Sequence, residues 1–467
     1  YKRQAVGNYA LDANTTASNN TAVGYSALTA NTTGAQNTAV GRNSLLTATT
    51  ASNNTAIGRD SMEATTTGSG NTAVGYDSLK ANTTADNNTA VGYDSLTANT
   101  TGTDNSAVGK DSLAANTTGN DNTALGDNAL AANTTANGNT AVGSAALVLN
   151  STGANNTVVG YLAADANTTG SSNVSVGKSA LTANTTADAN TAVGFNALAA
   201  NTTGANNVAI GKDALDSNTT ASNNTAVGVD SLQANTTGTQ NVAIGANAGK
   251  SITTGADNTI AGYNAGDAIT TANSNTAYGS ASLSTTTTGA TNTAIGAEAL
   301  QLNETGGSNV AVGYQALEEN TTADNNTAVG SLALTANTTG AGNSALGESS
   351  LDANTTGSDN TAIGKGALGA NTTASNNTAV GKDAMLANTT GTANVAVGKG
   401  AYITGTTGSN NVAIGDAALY ANTTANRNTA VGKSAMVSNT TGAENVAVGS
   451  LSLDCLLYTS DAADEED

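Results

Sequence analysis

The chain has 467 residues, with 34 acidic against 14 basic side chains for a formal charge of −20, and contains no His, Pro or Trp. Such an acidic balance repels nucleic acid and anionic membranes. With no His, one Cys and only 10% charged residues, the chain lacks the residue types that build nucleophile–base pairs or metal cages, so no enzyme activity, metal or cofactor is expected.

The two ends, residues 1–4 and 455–467, stand outside the pattern of the rest. One inverted DNA element accounts for both. Codons for Tyr1-Lys2-Arg3-Gln4, reverse-complemented and read one base later, give the Cys455-Leu456-Leu457-Tyr458 of the other end. The extended translation resembles a transposase mosaic-end adapter, so both ends are expected to be adapter-derived rather than native. The lone Cys455 falls there, and cysteine usage therefore indicates neither a disulfide framework nor a redox compartment. Because the repeat runs up to both ends without fading, the sequence is expected to be an interior length of a longer chain whose anchor, signal and caps lie elsewhere.

Between residues 5 and 454 a Gly recurs every 17 residues, from Gly7 to Gly449, 27 times without an insertion. Unbroken self-similarity at a short period marks a solenoid in which each turn stacks on the next. Gly, Asn and paired Thr in every turn disfavour helix. The expected fold is all-β: a single-stranded parallel β-solenoid of about 27 coils, one continuous domain over 5–454.

In chain order, each turn opens on an Asn four residues before the Gly, unbroken from Asn20 to Asn445, whose stacked amides are expected to form a hydrogen-bonded ladder. Next come Thr, Ser or Val (Thr21, Ser106, Val174, Val208), then Ala in 24 of 27 turns, then Val, Ile or Leu (Val23, Ile57, Leu125). The residues flanking the Ala share one strand face. Being β-branched for the most part, they are expected to line the interior, which sends the Ala outward. An uncharged outer Ala stripe reads as an interface between copies of the chain, represented by Ala209, Ala243 and Ala311. The Gly is expected at a corner with positive φ or a close backbone approach.

The position after the Gly holds nine of the 14 basic residues and seven aromatics, often followed by Asp, as in Arg59-Asp60 and Lys110-Asp111. The candidate ligand-binding residues of this ridge are Tyr25, Arg42, Arg59, Tyr76, Tyr93, Lys110, Tyr161, Lys178 and Lys212. The alternative is a solvated rim of Lys/Asp pairs and axially stacked rings. Four residues past the Gly stands Leu in 20 of 27 turns, the expected core filler. Asn-Thr-Thr follows. The Asn, replaced by Ala48, Ile252 and Ile269, and the invariant second Thr (Thr16 to Thr441) are expected to point in, and the first Thr, which yields to Glu304, to point out. These triplets also match the N-glycosylation acceptor pattern, with turn chemistry as the alternative.

The pentads Asn207-Val208-Ala209-Ile210-Gly211 and Asn309-Val310-Ala311-Val312-Gly313 resemble the head repeats of trimeric autotransporter adhesins, the YadA-like β-roll. The likeness extends over the whole of 5–454. The period here is longer than is usual in that family, and long-period repeats of this kind are also similar to those of phage tail fibres. The resemblance implies a left-handed roll and a homotrimer displayed outside the cell, on a bacterial outer-membrane surface or as a virion tail fibre. It also implies adhesion to host or environmental surfaces, with a host glycan or matrix protein as partner; neither nucleic acid nor membrane contact is expected of this segment. A structural spacer of a phage tail fibre is the alternative. An ice-binding solenoid is a lesser one, because adjacent Thr columns must diverge instead of sharing a flat face.

Overall fold

The computed structural model describes residues 3–454. Each turn holds one short parallel strand, and no helix occurs among the described residues. The chain divides into two compact units between Thr239 and Gln240. In the first, strands β1 (Arg3–Val6) to β14 (Thr225–Val227) pair in sequence order, with Thr38 facing Thr55 and Val193 facing Ile210. In the second, β15 (Val242–Ile244) to β27 (Val446–Val448) pair the same way, with Ala311 facing Ala328. Both units are thus all-β parallel solenoids with the period read from the sequence. Of the ends expected to be adapter-derived, residues 1, 2 and 455–467 lie outside the described residues, while Arg3 and Gln4 pair with Asn20 and Thr21.

Hydrogen bonding between turns is not confined to the strands. Leu28 N–H donates to the Ser44 carbonyl at 2.9 Å, Thr32 N–H to Thr49 at 2.9 Å, and Gly41 N–H to Val23 at 2.8 Å, so backbone bonds link the turns around much of the coil.

Two asparagine columns tie each turn to itself and to its neighbours. Asn122 Nδ2 donates to the Ala136 carbonyl at 2.8 Å, and its Oδ1 accepts the Asn139 N–H at 3.0 Å. Asn133, in the second column, donates to the same Ala136 carbonyl at 3.1 Å and to Asn116 Oδ1 at 2.9 Å. The expected ladder at the first Asn is therefore present, and it shares its acceptor with a second one. The accepting column is Gly or Ala throughout, and at Gly34 it lies so close to the next turn that even a Cβ would collide with the Ala51 carbonyl oxygen and the Asn31 amide.

Inward residues of one turn are Asn20, Ala22, Ala27, Leu28, Asn31 and Gly34. The Leu column fills the core as the sequence indicates, but the strand alternation has the opposite phase. Ala209, Ala243 and Ala311 are fully buried within their own turns and form no outer stripe. Their neighbours face solvent instead: Ile210 is 40% exposed and Ile244 49%. The reason is width. Ala lies so close to the Leu column that a larger residue is matched by a smaller one opposite: Val158 accompanies Ala164, and Ile260 accompanies Gly266, where an added Cβ would lie 3.0 Å from Ile260 Cδ1. A period of two says which residues share a face, whereas the space available decides which face is inside.

The threonines are also corrected. The first is half-buried in most turns, its hydroxyl bonded to the next turn, as Thr32 Oγ1 to the Thr49 carbonyl at 3.1 Å. The invariant second Thr is exposed from Thr16 to Thr441. The two columns diverge, but in the reverse sense.

Positive φ recurs at the Gly and at three other positions per turn, for example Asp121 (58°), Gly126 (142°), Asn128 (56°) and Leu130 (54°). This is why the core column is Leu or Met in most turns and never Val or Ile: a β-branched side chain at φ > 0 is strongly disfavoured. Asn, Asp and Ser are frequent at the polar corners, where a short polar side chain eases the left-handed backbone. At Gly126 a Cβ would stand 2.5 Å from the Gly143 carbonyl oxygen, so positive φ and close approach act together, as expected for this column.

Asn122→Ala is expected to orphan the Asn139 N–H at a loss of about 1–3 kcal/mol, seen as reduced hydrogen-exchange protection confined to the adjoining turns; unchanged protection there would discard the ladder. At Leu198 (φ 55°, fully buried), Leu198→Met should stay within about 1.5 kcal/mol of the parent. Leu198→Ile should lose about 1–3 kcal/mol more in denaturant unfolding, and equal effects would remove the backbone explanation.

Candidate binding surface

With two amides per turn directed inward, the Asn of most Asn-Thr-Thr triplets is inaccessible. Asn31, Asn99 and Asn133 are fully buried and donate to carbonyls, so the folded chain cannot present them as glycan acceptors. The triplet is turn chemistry.

The ridge column stands outward, because the left-handed residue that follows it turns the chain back toward the core. Tyr25, Tyr93 and Tyr161 are about half exposed, and Arg42 and Lys178 are exposed as well. Stacking of the turns brings Arg59, Tyr76 and Tyr93 together. The Arg59 guanidinium lies 5.3 Å from the Tyr76 ring centre, and the Tyr76 and Tyr93 rings are parallel to within 8° at 5.2 Å. Lys178 lies 5.8 Å from the Phe195 ring. Lys110 follows Tyr93 in the column, whereas Asp127 and Ser144 separate that run from Tyr161, Lys178 and Lys212.

Several ridge cations are held by the carboxylate beside them. Arg59 pairs with Asp60 at 3.0 Å, Lys110 with Asp111 at 3.2 Å, and Lys212 with Asp213 at 2.5 Å. Hydrogen bonds donated to Asp111 and Asp213 push the Lys110 and Lys212 ammonium groups above the usual lysine range, the charges of these carboxylates adding to the effect. Lys80 behaves likewise through its bond to Asp77 at 3.1 Å. Arg42 and Lys178 close no ion pair among the described residues. Both faces of Tyr76 are covered, by Arg59 and by Tyr93, so ring edges and hydroxyls are what remain for a ligand.

Two outward features escaped the sequence reading. The strand face carries a column of Thr, Ser or Val beside a column of Val, Ile or Leu, with Ile57, Val159 and Ile363 about two-fifths exposed. Neither column contains a charged residue in any of its 27 turns, a signal visible in the sequence once its phase is known. The exposed second Thr is legible as an invariant column, but neither its invariance nor the Glu-tolerance of its neighbour says which way it points.

A shallow hollow lined by Ser409, Asn410, Asn426, Arg427, Ala443 and Glu444 is bridged by the Arg427–Glu444 pair at 2.8 Å. Among the described residues there is no cluster of three metal-ligating side chains, and no helix is long and apolar enough to cross a membrane. No protein-family model matches the chain, and no curated protein matches it.

Proposed function

We propose that this chain is the rod of an extracellular fibre, a trimeric adhesin shaft or tail fibre, in which three copies pack through their uncharged strand faces. The observation that carries this reading is the strand face itself. Each unit presents two outward columns of Thr/Val and Val/Ile in strict register, a continuous uncharged stripe whose exposed aliphatic side chains are of the kind that mark interaction sites. Identical copies can meet such a stripe turn for turn, and a closed cyclic oligomer covers it completely. The number three and a left-handed coil rest on the likeness of the pentads to the YadA-like roll. With the strand faces covered, the ridge and the second Thr column remain outside, and the ridge is the adhesive surface toward a glycan or matrix protein.

A spacer without adhesion is the second reading, favoured by one observation: most ridge cations are paired within the chain, and the Tyr76 and Tyr93 rings stack on one another. Val193→Lys, Ile210→Lys and Val227→Lys together are expected to convert a trimer to monomers in sedimentation equilibrium; a wild-type chain already monomeric sinks the assembly. If the ridge is adhesive, replacing Tyr76, Tyr93 and Lys110 by Ser abolishes retention on glycan- or matrix-coated surfaces without changing the mass. Retention unchanged by these replacements leaves the spacer.

A further inference from the structure

Five carboxylates are handled differently from those of the ridge pairs. Asp216, Asp267, Glu318 and Asp352 occupy the column five residues past the Gly, and Asp94 lies in the column after the ridge; all are half-buried, and none closes an ion pair among the described residues. What faces them is mostly like charge or nothing. Asp94 lies between Asp77 and Asp111, whose own cations, Lys80 and Lys110, are bound to them at 3.1 and 3.2 Å. Near Asp216 are Asp213 and the Lys212 that Asp213 holds. Glu318 is beside Glu298 and Glu319. Asp267 has its own N–H, that of Ala268 and the nearby Lys250, and Asp352 has only its own N–H and that of Ala353.

We propose that these uncompensated carboxylates make the solenoid acid-strengthened: the turns that carry them open less readily in mild acid than at neutral pH. Removing the charge relieves the desolvation of each and, at Asp94, Asp216 and Glu318, the repulsion by neighbouring acids as well. In agreement, burial above all holds each of the five above the usual carboxylate range, with the neighbouring acids adding to the effect at Asp94, Asp216 and Glu318. The sign follows from proton linkage. A carboxyl held up in the folded state binds protons there that the unfolded chain does not, so its stabilising contribution is full below the ordinary carboxylate range and is lost as pH rises through the raised value. Lys80, Lys110 and Lys212 are shifted upward too, but they titrate far above this window.

The test is hydrogen exchange on the full chain, corrected for intrinsic chemistry, between about pH 7 and about pH 4.5. Opening of the peptides that carry Asp94, Asp216, Asp267, Glu318 and Asp352 is expected to become several-fold rarer in acid. A chain with Asp94, Asp216, Asp267 and Asp352→Asn and Glu318→Gln should show the acid-like protection already at neutral pH and lose the response. A gain spread evenly along the chain would reflect its overall negative charge and overturn the proposal, as would a neutralised chain that keeps the local response. Each single replacement, made separately, should remove the response only in its own peptide. This reports on the proposal even if the combined variant fails to fold.

Discussion

One backbone carbonyl per turn, that of the Gly/Ala column, governs this molecule. Two buried asparagines donate to it, as Asn122 and Asn133 do to Ala136, and the oxygens of those asparagines bond into neighbouring turns. A buried amide without partners is expensive, and a fully satisfied network is rigid. The arrangement therefore fixes the circumference of the coil, the size of the accepting residue and the register between turns. A core this thin cannot rely on apolar burial, since its fillers are one Leu and several Ala. The amide ladders supply what hydrophobic area does not, and they do so only because the next turn is present.

The exceptions obey the same constraint. Where Tyr402 replaces Leu, Gly405 replaces the second Asn, because a Cβ at residue 405 would run into the tyrosine ring. The Tyr402 hydroxyl then takes over the amide's task, donating to the Gly408 carbonyl at 3.2 Å and accepting from Asn411 at 3.1 Å. Burial pushes this phenol up to about 12, so it stays a donor under all ordinary conditions. Where Gly249 and Gly266 replace Leu, Ile252 and Ile269 replace Asn and fill the space with carbon instead. Each exchange sets a large side chain against a small one within a turn, and where it removes the second Asn the amide oxygen one turn earlier, Asn388 before Gly405 and Asn235 before Ile252, is left buried with no hydrogen-bond partner among the described residues.

The surface is organised by what the interior leaves over. Charged residues concentrate at the ridge and the columns near it, where left-handed corners turn side chains outward and set Asp beside the Lys or Arg that precedes it. The strand face, by contrast, is uncharged and β-branched. That division leaves each turn with one uncharged face and one charged one, and the half-buried acids lie on the charged side.

Period, strand content, the glycine corner, the leucine core and the asparagine ladder are fixed by sequence, because each reflects a local requirement repeated at one spacing. The compensating pairs, Tyr402 with Gly405 and Ile260 with Gly266, were also written there. They become legible only when the two columns are known to touch. Which face of the strand turns inward was decided by tertiary structure alone. Thr-Ala-Val alternates equally well in either phase, and β-branched residues suit an outer pleated face as well as a core. Only the closed coil, too narrow to hold Val193 or Ile210 where Ala192 and Ala209 fit, selects between them. The same closure put Ala209, Ala243 and Ala311 inside and the invariant threonines outside, since side-chain direction depends on how far each corner bends the chain, and no column of letters carries that angle.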